Sequence, residues 1–416
     1  MDVIFFAVAI TCILAVLFDF TNGFHDAANA TSTVIATRSL KPKTAVILSA
    51  VFNFLPAFLV GTAVANTISK TVDLNSLPEV GAGAVPLGVR MTLAALLAAI
   101  FWNYFTWNLG LPSSSSHALI GGLVGAGISA GGWSAVSWAS VEKTVVAIFT
   151  SPLIAFVIAF VAIRTIRLIQ RIWTVNEDSE FFRWAQVGSS AFVSWGHGSN
   201  DAQKTMGVVA ATLFAGGYLA GEDAGSLEPP TWVIFTAHLA IAAGTVWGGW
   251  KIIETMGLKI TRITRASGFA ANIGSVASIE GATQAGIPIS TTQTVSSSIV
   301  GSGVGAKRKV NWLVMRNMVI AWFVTMPAAA LAAWVIFRFT VLPDPWSAIV
   351  TGLFIVVLLT WAGSLMLRAT TADDIEAELP GRETGSETTT GYGIHVSQVN
   401  DEGKATLHKH PETRSD

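Results

Sequence analysis

The sequence predicts an all-α polytopic membrane protein with two inverted-topology repeats, broken helices and re-entrant hairpins. Three observations predict this class. The 416 residues are 52% hydrophobic and only 12% charged, whereas soluble domains average about 25% charged residues. Apolar runs long enough to cross a bilayer recur along the chain. A polar motif and a Ser/Thr-rich motif each occur twice, in the same order in both halves.

The first repeat is predicted over residues 1–168. Its predicted membrane segments are 3–37, 44–68, 91–109, 112–131 and 144–163. The first of these is longer than the roughly 20 residues that cross a bilayer core, and a polar motif interrupts it at 22–29. We therefore expect 3–37 to be one broken helix or two half-helices.

A basic cytoplasmic connector is predicted over 169–183, and a second repeat over 184–340 follows with the same order of features. Its predicted membrane segments are 185–219, 232–252, 269–285, 288–305 and 318–339. An additional transmembrane helix is predicted over 346–368. The last residues, 369–416, are polar and rich in Thr, Gly and acidic residues, which predicts a disordered tail.

The distribution of Lys and Arg predicts the cytoplasmic side, where these residues are enriched. The basic segments are 38–43, 164–183, 251–265 and 306–316. With 251–265 and 306–316 both inside, the stretch 269–305 must enter and leave from the cytoplasm. Its counterpart 91–131 would enter from the opposite face, so the halves have opposite orientation, as in secondary transporters. The N-terminus and the acidic loop 221–230 are predicted outside, and the tail inside.

The polar motif occurs once in each repeat. Its copies are Asn22-Gly23-Phe24-His25-Asp26-Ala27-Ala28-Asn29 and His197-Gly198-Ser199-Asn200-Asp201-Ala202-Gln203-Lys204. The Gly and the Asp keep their positions, whereas the Asn and the His exchange places. Ionisable residues inside a membrane are expensive and mark functional sites, so the duplication predicts one site at the interface between the repeats.

The aspartates are the predicted centre of that site. Asn29 lies three residues after Asp26, so the two share a helical face, and Asp19 could share it too. Lys204 is placed likewise relative to Asp201. A structural ion pair would account for Asp201 and Lys204, but it leaves Asp26 without a cation nearby in the sequence. We therefore assign Asp26, Asp201 and Asp19 to cation or proton coupling.

The second duplicated motif is rich in hydroxyl groups. Its copies are Leu111-Pro112-Ser113-Ser114-Ser115-Ser116-His117 and Gly286-Ile287-Pro288-Ile289-Ser290-Thr291-Thr292-Gln293. Pro is favoured in the first turn of a helix, so each copy predicts a half-helix whose free N–H groups favour an anion. The uncharged donors suit a tetrahedral oxyanion; they are Ser114, Ser115, Ser116, Ser290, Thr291 and Thr292. Close helix packing by small residues is the alternative, but the recurrence behind a proline favours the anion site.

An anion beside two carboxylates needs a compensating charge. Like unit charges about 4 Å apart repel by roughly 4 kcal/mol at an effective dielectric near 20, so cations or protons must enter with the anion. His25 and His197 lie in the motifs and can carry protons near neutral pH. Sodium could instead be bound by the carboxylates together with oxygen atoms of Asn29, Asn200 and Thr205. Protons and sodium therefore both remain candidate coupling ions.

At these residues the sequence resembles the PiT family of inorganic phosphate transporters. The matching stretches are 23–29, 111–117, 197–204 and 287–293. The resemblance implies phosphate symport, and the residues it implies at the substrate and cation site are Asp26, Asn29, Asn200 and Asp201. Those it implies around the phosphate are Ser115, Ser116, Thr291 and Thr292. His25 resembles the bacterial low-affinity, proton-coupled branch, in which the substrate is often a neutral metal–phosphate complex. Gln293 departs from the His that usually ends the second motif.

We therefore expect a secondary active transporter that imports inorganic phosphate across the bacterial inner membrane by proton symport. The predicted phosphate-binding residues are the six hydroxyl donors with Asn29, Asn200 and Lys204. The predicted coupling residues are Asp26, Asp201, His25, His197 and Asp19. A symporter of sulfate or another oxyanion and a sodium-coupled phosphate symporter are the alternatives among transporters.

The sequence also bears on two other classes of membrane protein and on the binding partners. A passive channel remains an alternative, and an intramembrane hydrolase is disfavoured because adjacent Ser116 and His117 diverge on a helix. Predicted partners are phosphate, protons or sodium, and the lipid bilayer, while a divalent metal carried with phosphate and a homo-oligomer are left open. No cofactor, resident metal, nucleic acid or enzymatic activity is predicted. Cys12 is the single cysteine, so an intramolecular disulfide is excluded.

Overall fold

A computed structural model describes residues 3–172, 175–221, 227–379, 396–399 and 405–407. The chain divides into two compact units, Met1–Ala372 and Asp373–Asp416. The helices of the first predicted repeat are α1 (Val3–Ala36), α2 (Pro42–Phe54), α3 (Ala63–Ser69), α4 (Leu87–Asn108), α5 (Ser115–Gly131) and α6 (Trp138–Ile172). Those of the second are α7 (Glu180–Ala215), α8 (Thr231–Trp247), α9 (Trp250–Glu254), α10 (Arg265–Gln284), α11 (Thr291–Gly305) and α12 (Trp312–Thr340). A further helix, α13 (Trp346–Met366), follows them.

The lengths and apolar character of these helices confirm a polytopic membrane protein. Within the described residues, five helices can cross a membrane by length and composition, or up to seven if each of two bent helix pairs counts as one span. The five are α1, α4, α6, α12 and α13, so a spanning helix is present where the additional one was predicted, over 346–368.

The break predicted within 3–37 is wrong, because α1 is continuous over 34 residues. Its polar motif remains helical, and several of its side chains bind side chains of other helices. The breaks lie instead between α2 and α3, which are bent by 85°, and between α8 and α9, bent by 70°. Pro56 lies in a 3-10 turn at the first break. Gly248, with φ of 77°, adopts the left-handed backbone at the second, which favours glycine.

The two half-helices begin within the Ser/Thr motifs, at Ser115 and Thr291, so Pro112 and Pro288 precede the helices and do not lie in their first turns as predicted. Extended backbone precedes α5 and α11, so α4–α5 and α10–α11 form two hairpins. The bent helices cover the hairpin tips. Thr255, in a π-helical turn that continues α9, donates to the carbonyl oxygen of Gly110 at 3.1 Å. Thr67 of α3 donates to that of Gly286 at 2.6 Å.

Packing interleaves the two halves of the chain. The half-helix α5 packs on α12, and α11 packs on α6, so each half-helix rests on the last helix of the other half. The long helices α1 and α7 contact each other, and each also packs against the other half's bent pair, α1 on α8 and α7 on α2 and α3. The motifs carried by α1 and α7 therefore face each other in the interior.

Segments predicted to share the cytoplasmic side contact one another. Glu177 in the connector accepts from Arg167 at the end of α6 and from Arg308 after α11, at 3.0 and 2.8 Å. Thr264, before α10, donates to the same carboxylate at 3.2 Å. Arg183 of α7 donates to the carbonyl oxygen of Ser39 at 3.1 Å. The orientation of this end, and of the hairpins, relative to the membrane stays a prediction.

The second unit contains the helix α14 (Ala372–Glu378) and two antiparallel strands, β1 (Val396–Val399) and β2 (Ala405–Leu407). These elements lie within the polar tail predicted over 369–416. The remainder of that tail falls outside the described residues, so its predicted disorder stays a prediction.

Candidate substrate and cation site

All fourteen residues assigned to the site from the sequence lie in the interior. Each is at most 3% exposed, and they come from α1, α7 and the first turns of α5 and α11. Hydrogen bonds and ion pairs connect most of them into one cluster, with Asp26 and Asp201 at its centre.

The two aspartates share their neighbours across the α1–α7 contact. Asn22 donates to Asp201 at 3.2 Å. His197 Nε2 lies 3.9 Å from an oxygen of Asp26 and 3.6 Å from an oxygen of Asp201. The hydroxyl of Thr291 is 3.4 Å from both carboxylates. One ligand atom each of Asp26, His197 and Asp201 lies within 4.8 Å of the others, close enough for the three side chains to share one cation.

His25 and Asn200 occupy corresponding positions and hold corresponding parts of the hairpins. His25 Nδ1 lies 2.6 Å from Asp26, while its Nε2 lies 3.3 Å from Thr106 at the end of α4 and from Ser113 before α5. Asn200 donates to Thr283 at the end of α10 at 2.9 Å. It also binds the backbone before α11 through Ile287 O and Ile289 N. Although His and Asn exchange places between the motifs, His25 and Asn200 therefore both bind the tip of a hairpin.

Lys204 and Asn29 form a second corresponding pair, and each reaches the half-helix of the opposite half. Asn29 donates to the hydroxyls of Thr291 and Thr292 at 3.2 and 3.3 Å. Lys204 donates to Ser116 at 2.5 Å, to Asp201 at 2.6 Å and to the carbonyl oxygen of Ile289 at 2.9 Å. The ion pair considered from the sequence is thus present, and it lies inside the site.

The hydroxyl donors fall into two groups. Ser114 and Ser290 are the N-cap residues of α5 and α11, where their oxygens accept from the backbone N–H of His117 and Gln293 at 3.2 and 3.3 Å, as N-caps do. The remaining four lie in the first helical turn. Of these, the hydroxyl of Ser115 is buried without a hydrogen-bond partner among the described residues. The half-helices thus bring hydroxyl groups into the cluster, where that of Thr291 contacts both aspartates.

Asp19 is the one coupling residue that the structure leaves apart from the hydrogen-bonded cluster. Both of its carboxylate oxygens are buried without a hydrogen-bond partner among the described residues, as are Asn22 Oδ1 and Thr205 Oγ1. A bare buried carboxylate is very costly. A proton or a cation at Asp19 would remove that cost.

Sequence reasoning missed several partners of the site. They are Asn22, Asn53, Thr106, Ser113 and Thr283. Asn53 Oδ1 accepts a hydrogen bond from Nδ1 of the His197 ring at 3.1 Å. Comparing the halves position by position could have found Thr106 and Thr283, because both precede the proline of a Ser/Thr motif by nearly the same distance. Asn53 carries no such signal.

Fold and site together define a class of membrane protein. Two interleaved halves enclose a charged cluster to which two half-helices direct their N-termini, which is the arrangement of secondary transporters. A family model described as the phosphate transporter family matches residues 22–333. The chain belongs to this family, which confirms the resemblance found in the motifs.

Curated relatives agree with that assignment. A Rhizobium meliloti protein named probable low-affinity inorganic phosphate transporter is 44% identical, over 76% of this chain and 92% of its own length. A Bacillus subtilis protein of the same name is 42% identical, over 79% of this chain and 96% of its own. With its apolar helices, the chain is a multi-pass protein of the bacterial inner membrane.

A solved structure shares the fold. The sodium-dependent phosphate transporter superposes with a TM-score of 0.69, covering 80% of this chain and 98% of its own. Its sequence is 24% identical, so the likeness concerns the fold.

Proposed function

We propose that this protein imports inorganic phosphate by proton symport, at the cluster between α1, α7 and the two half-helices. The observation that carries the proposal is the placement of His25 and His197 against Asp26 and Asp201, inside a buried site that two helix N-termini face. The membership in the phosphate transporter family and the named relatives support phosphate as the substrate.

Phosphate fits the uncharged donors of the half-helices. The N-terminal N–H groups of α5 and α11 attract an anion, and the hydroxyls of Ser115, Ser116, Thr291 and Thr292 can satisfy several phosphate oxygens. Asn29 donates to two of these hydroxyls, those of Thr291 and Thr292, so its role is to orient them toward the anion. Asn200 is already bound to the hairpin tip at both ends of its amide, so its role is to position the tip.

The charges of the site account for coupling to protons. Asp26 and Asp201 against Lys204 leave one net negative charge, and phosphate adds at least one more. In a buried site that charge must be offset. Protons on His25 and His197 supply two positive charges within 4 Å of the aspartates, and a proton on Asp19 removes a further negative charge. The anion can therefore enter when the protons do.

Sodium coupling is the second candidate, supported by the oxygen and nitrogen atoms of Asp26, His197 and Asp201 that lie within 4.8 Å of each other. The solved structure that shares the fold is that of a sodium-dependent phosphate transporter. The same cluster could receive a divalent metal that travels with phosphate, and a site of uncharged donors could also admit sulfate.

The test is phosphate uptake into proteoliposomes without sodium, driven by an imposed pH gradient. Uptake should be robust, should collapse with a protonophore, and should be inhibited by unlabelled phosphate more than by sulfate. His25→Asn should reduce its proton dependence. The matched control is His238→Asn, because His238 is also buried but binds only the backbone of its own helix, at Ile234. Uptake that requires sodium and ignores the pH gradient would overturn the proton mechanism.

A further inference from the structure

The ammonium group of Lys204 is surrounded by oxygen atoms as a bound metal ion would be. Its neighbours are a carboxylate oxygen of Asp201 at 2.6 Å, the hydroxyl of Ser116 at 2.5 Å and the carbonyl oxygen of Ile289 at 2.9 Å. Carboxylate, hydroxyl and carbonyl oxygens are the ligands that hard cations take. The side chain is 1% exposed, so the group lies in a closed site.

The hydrogen bonds of Lys204 argue against a direct role in holding phosphate. An ammonium group has three donors and no acceptor, and all three are used by protein oxygens here. Its positive charge therefore serves Asp201, a carboxylate that is fully buried and would be strongly destabilising without a partner.

The corresponding position in the first half is neutral. Asn29 aligns with Lys204 and contacts Thr292, the counterpart of Ser116. Its oxygen Oδ1 is buried without a hydrogen-bond partner among the described residues. The first half of the site thus has an amide oxygen of Asn29 without a partner in the described part of the chain, whereas the second half has the ammonium group of Lys204 at the corresponding position.

We propose that Lys204 is a tethered monovalent cation, which fills a cation site made by Asp201, Ser116 and Ile289 and so makes a free metal ion unnecessary there. The inference deepens the proposed function, on which it rests for the meaning of the site. Because the ammonium cannot leave, no free cation travels at this position, and the cations or protons that travel with the anion bind elsewhere in the site. Removing the side chain should open the site to a free ion such as sodium.

The test measures thermal unfolding of the purified protein against sodium chloride, with choline chloride at equal ionic strength as reference. Wild-type protein should respond equally to both salts. Lys204→Ala, purified throughout in high sodium, should melt at a lower temperature in choline. Sodium should then raise its melting temperature saturably, by at least about 2 °C. The double variant Lys204→Ala/Asp201→Asn should lose that response, because the carboxylate that binds the ion is gone.

A second variant, Lys204→Gln, guards against failure of the first to fold. If either single variant is folded and responds equally to sodium and choline, the proposal is overturned. The proposal is also overturned if both single variants fail to fold in high sodium while the double variant folds, because sodium then did not replace the amine. The measurement uses neither phosphate nor a pH gradient, so its outcome is independent of the uptake test of the proposed function.

Discussion

Gly23 and Gly198, the glycines shared by both polar motifs, allow two helix pairs to touch beside the site. A Cβ atom at Gly23 would lie 2.1 Å from the carbonyl oxygen of Ile241 in α8, and one at Gly198 would lie 2.3 Å from that of Asn53 in α2. Carbon and oxygen atoms in close contact are normally about 3.3 Å apart. Alanine at either position must therefore separate the helices by about 1 Å.

We predict that Gly23→Ala lowers both stability and transport. Overpacking of this kind destabilises by about 1–3 kcal/mol. The neighbouring residue Asn22 lies 3.2 Å from Asp201, and a displacement of about 1 Å takes this contact out of hydrogen-bond range. Loss of a hydrogen bond to a charged group corresponds to about 1.5 kcal/mol or more, which is about tenfold in an equilibrium constant. We expect uptake per folded protein to fall by at least that factor.

The matched control is Gly188→Ala, because a Cβ atom at Gly188 in α7 meets nothing within 4 Å. Alanine in a helix interior is favoured over glycine by about 0.5–1 kcal/mol, so this variant should be at least as stable as the wild type and should transport normally. The assays are thermal unfolding of purified protein and phosphate uptake in vesicles, normalised to folded protein. If Gly23→Ala matches Gly188→Ala in both assays, the close contact does not hold the site.

Three further predictions concern the site, the cytoplasmic contacts and the orientation. Asp26→Asn and Asp201→Asn should each abolish phosphate uptake while inserting normally, and near wild-type uptake by either would remove that carboxylate from the mechanism. Burial acts to raise the pKa of Glu177, but the charges of Arg167 and Arg308 outweigh it and lower that pKa. The stabilisation that ionised Glu177 gives the folded protein is therefore complete above pH 4.5, the ordinary pKa of glutamate. It is lost as the pH falls through the lowered pKa of the folded protein. Glu177→Gln should reduce the free energy of unfolding by about 1 kcal/mol at pH 7, because solvent screens these partly exposed pairs, and an equal difference at low pH would contradict this origin. In a Cys12→Ser background, a cysteine at exposed Gly221 should react with impermeant reagents from outside and one at exposed Asn176 only from the cytoplasm, and the reverse labelling would invert the orientation.

The sequence predicted those parts of the site that local chemistry determines. A proline followed by hydroxyl residues starts a half-helix whatever the surroundings, and α5 and α11 begin at Ser115 and Thr291. Repetition of the Gly-x-x-Asp pattern was enough to predict that Asp26 and Asp201 meet. The caps provided by Ser114 and Ser290 follow from the same local rule.

Partners supplied by distant helices could not be predicted in this way. The break expected within 3–37 was based on the length of the segment and on the polar motif that interrupts it. Instead Asn22 binds Asp201 of α7 and His25 binds Thr106 of α4, so α1 stays intact. The actual breaks lie outside the motifs, where the bent helices cover the hairpin tips, and their position depends on packing between the halves.

The two halves match in geometry but differ in charge, and the differences compensate each other. Asp19 aligns with Ser194, which is neutral and bound to Ser49 at 3.0 Å. Lys204 aligns with the neutral Asn29. One half thus gains a carboxylate and the other an ammonium, and the two groups interact electrostatically across α1 and α7. With Asp19 ionised, the net charge equals that of a fully symmetric site, whereas a proton on Asp19 leaves the charge of Lys204 in excess. On the proposed mechanism, matching geometry would serve exchange between two related conformations, and unequal charge would keep the cation of one half in place while the other half releases its own.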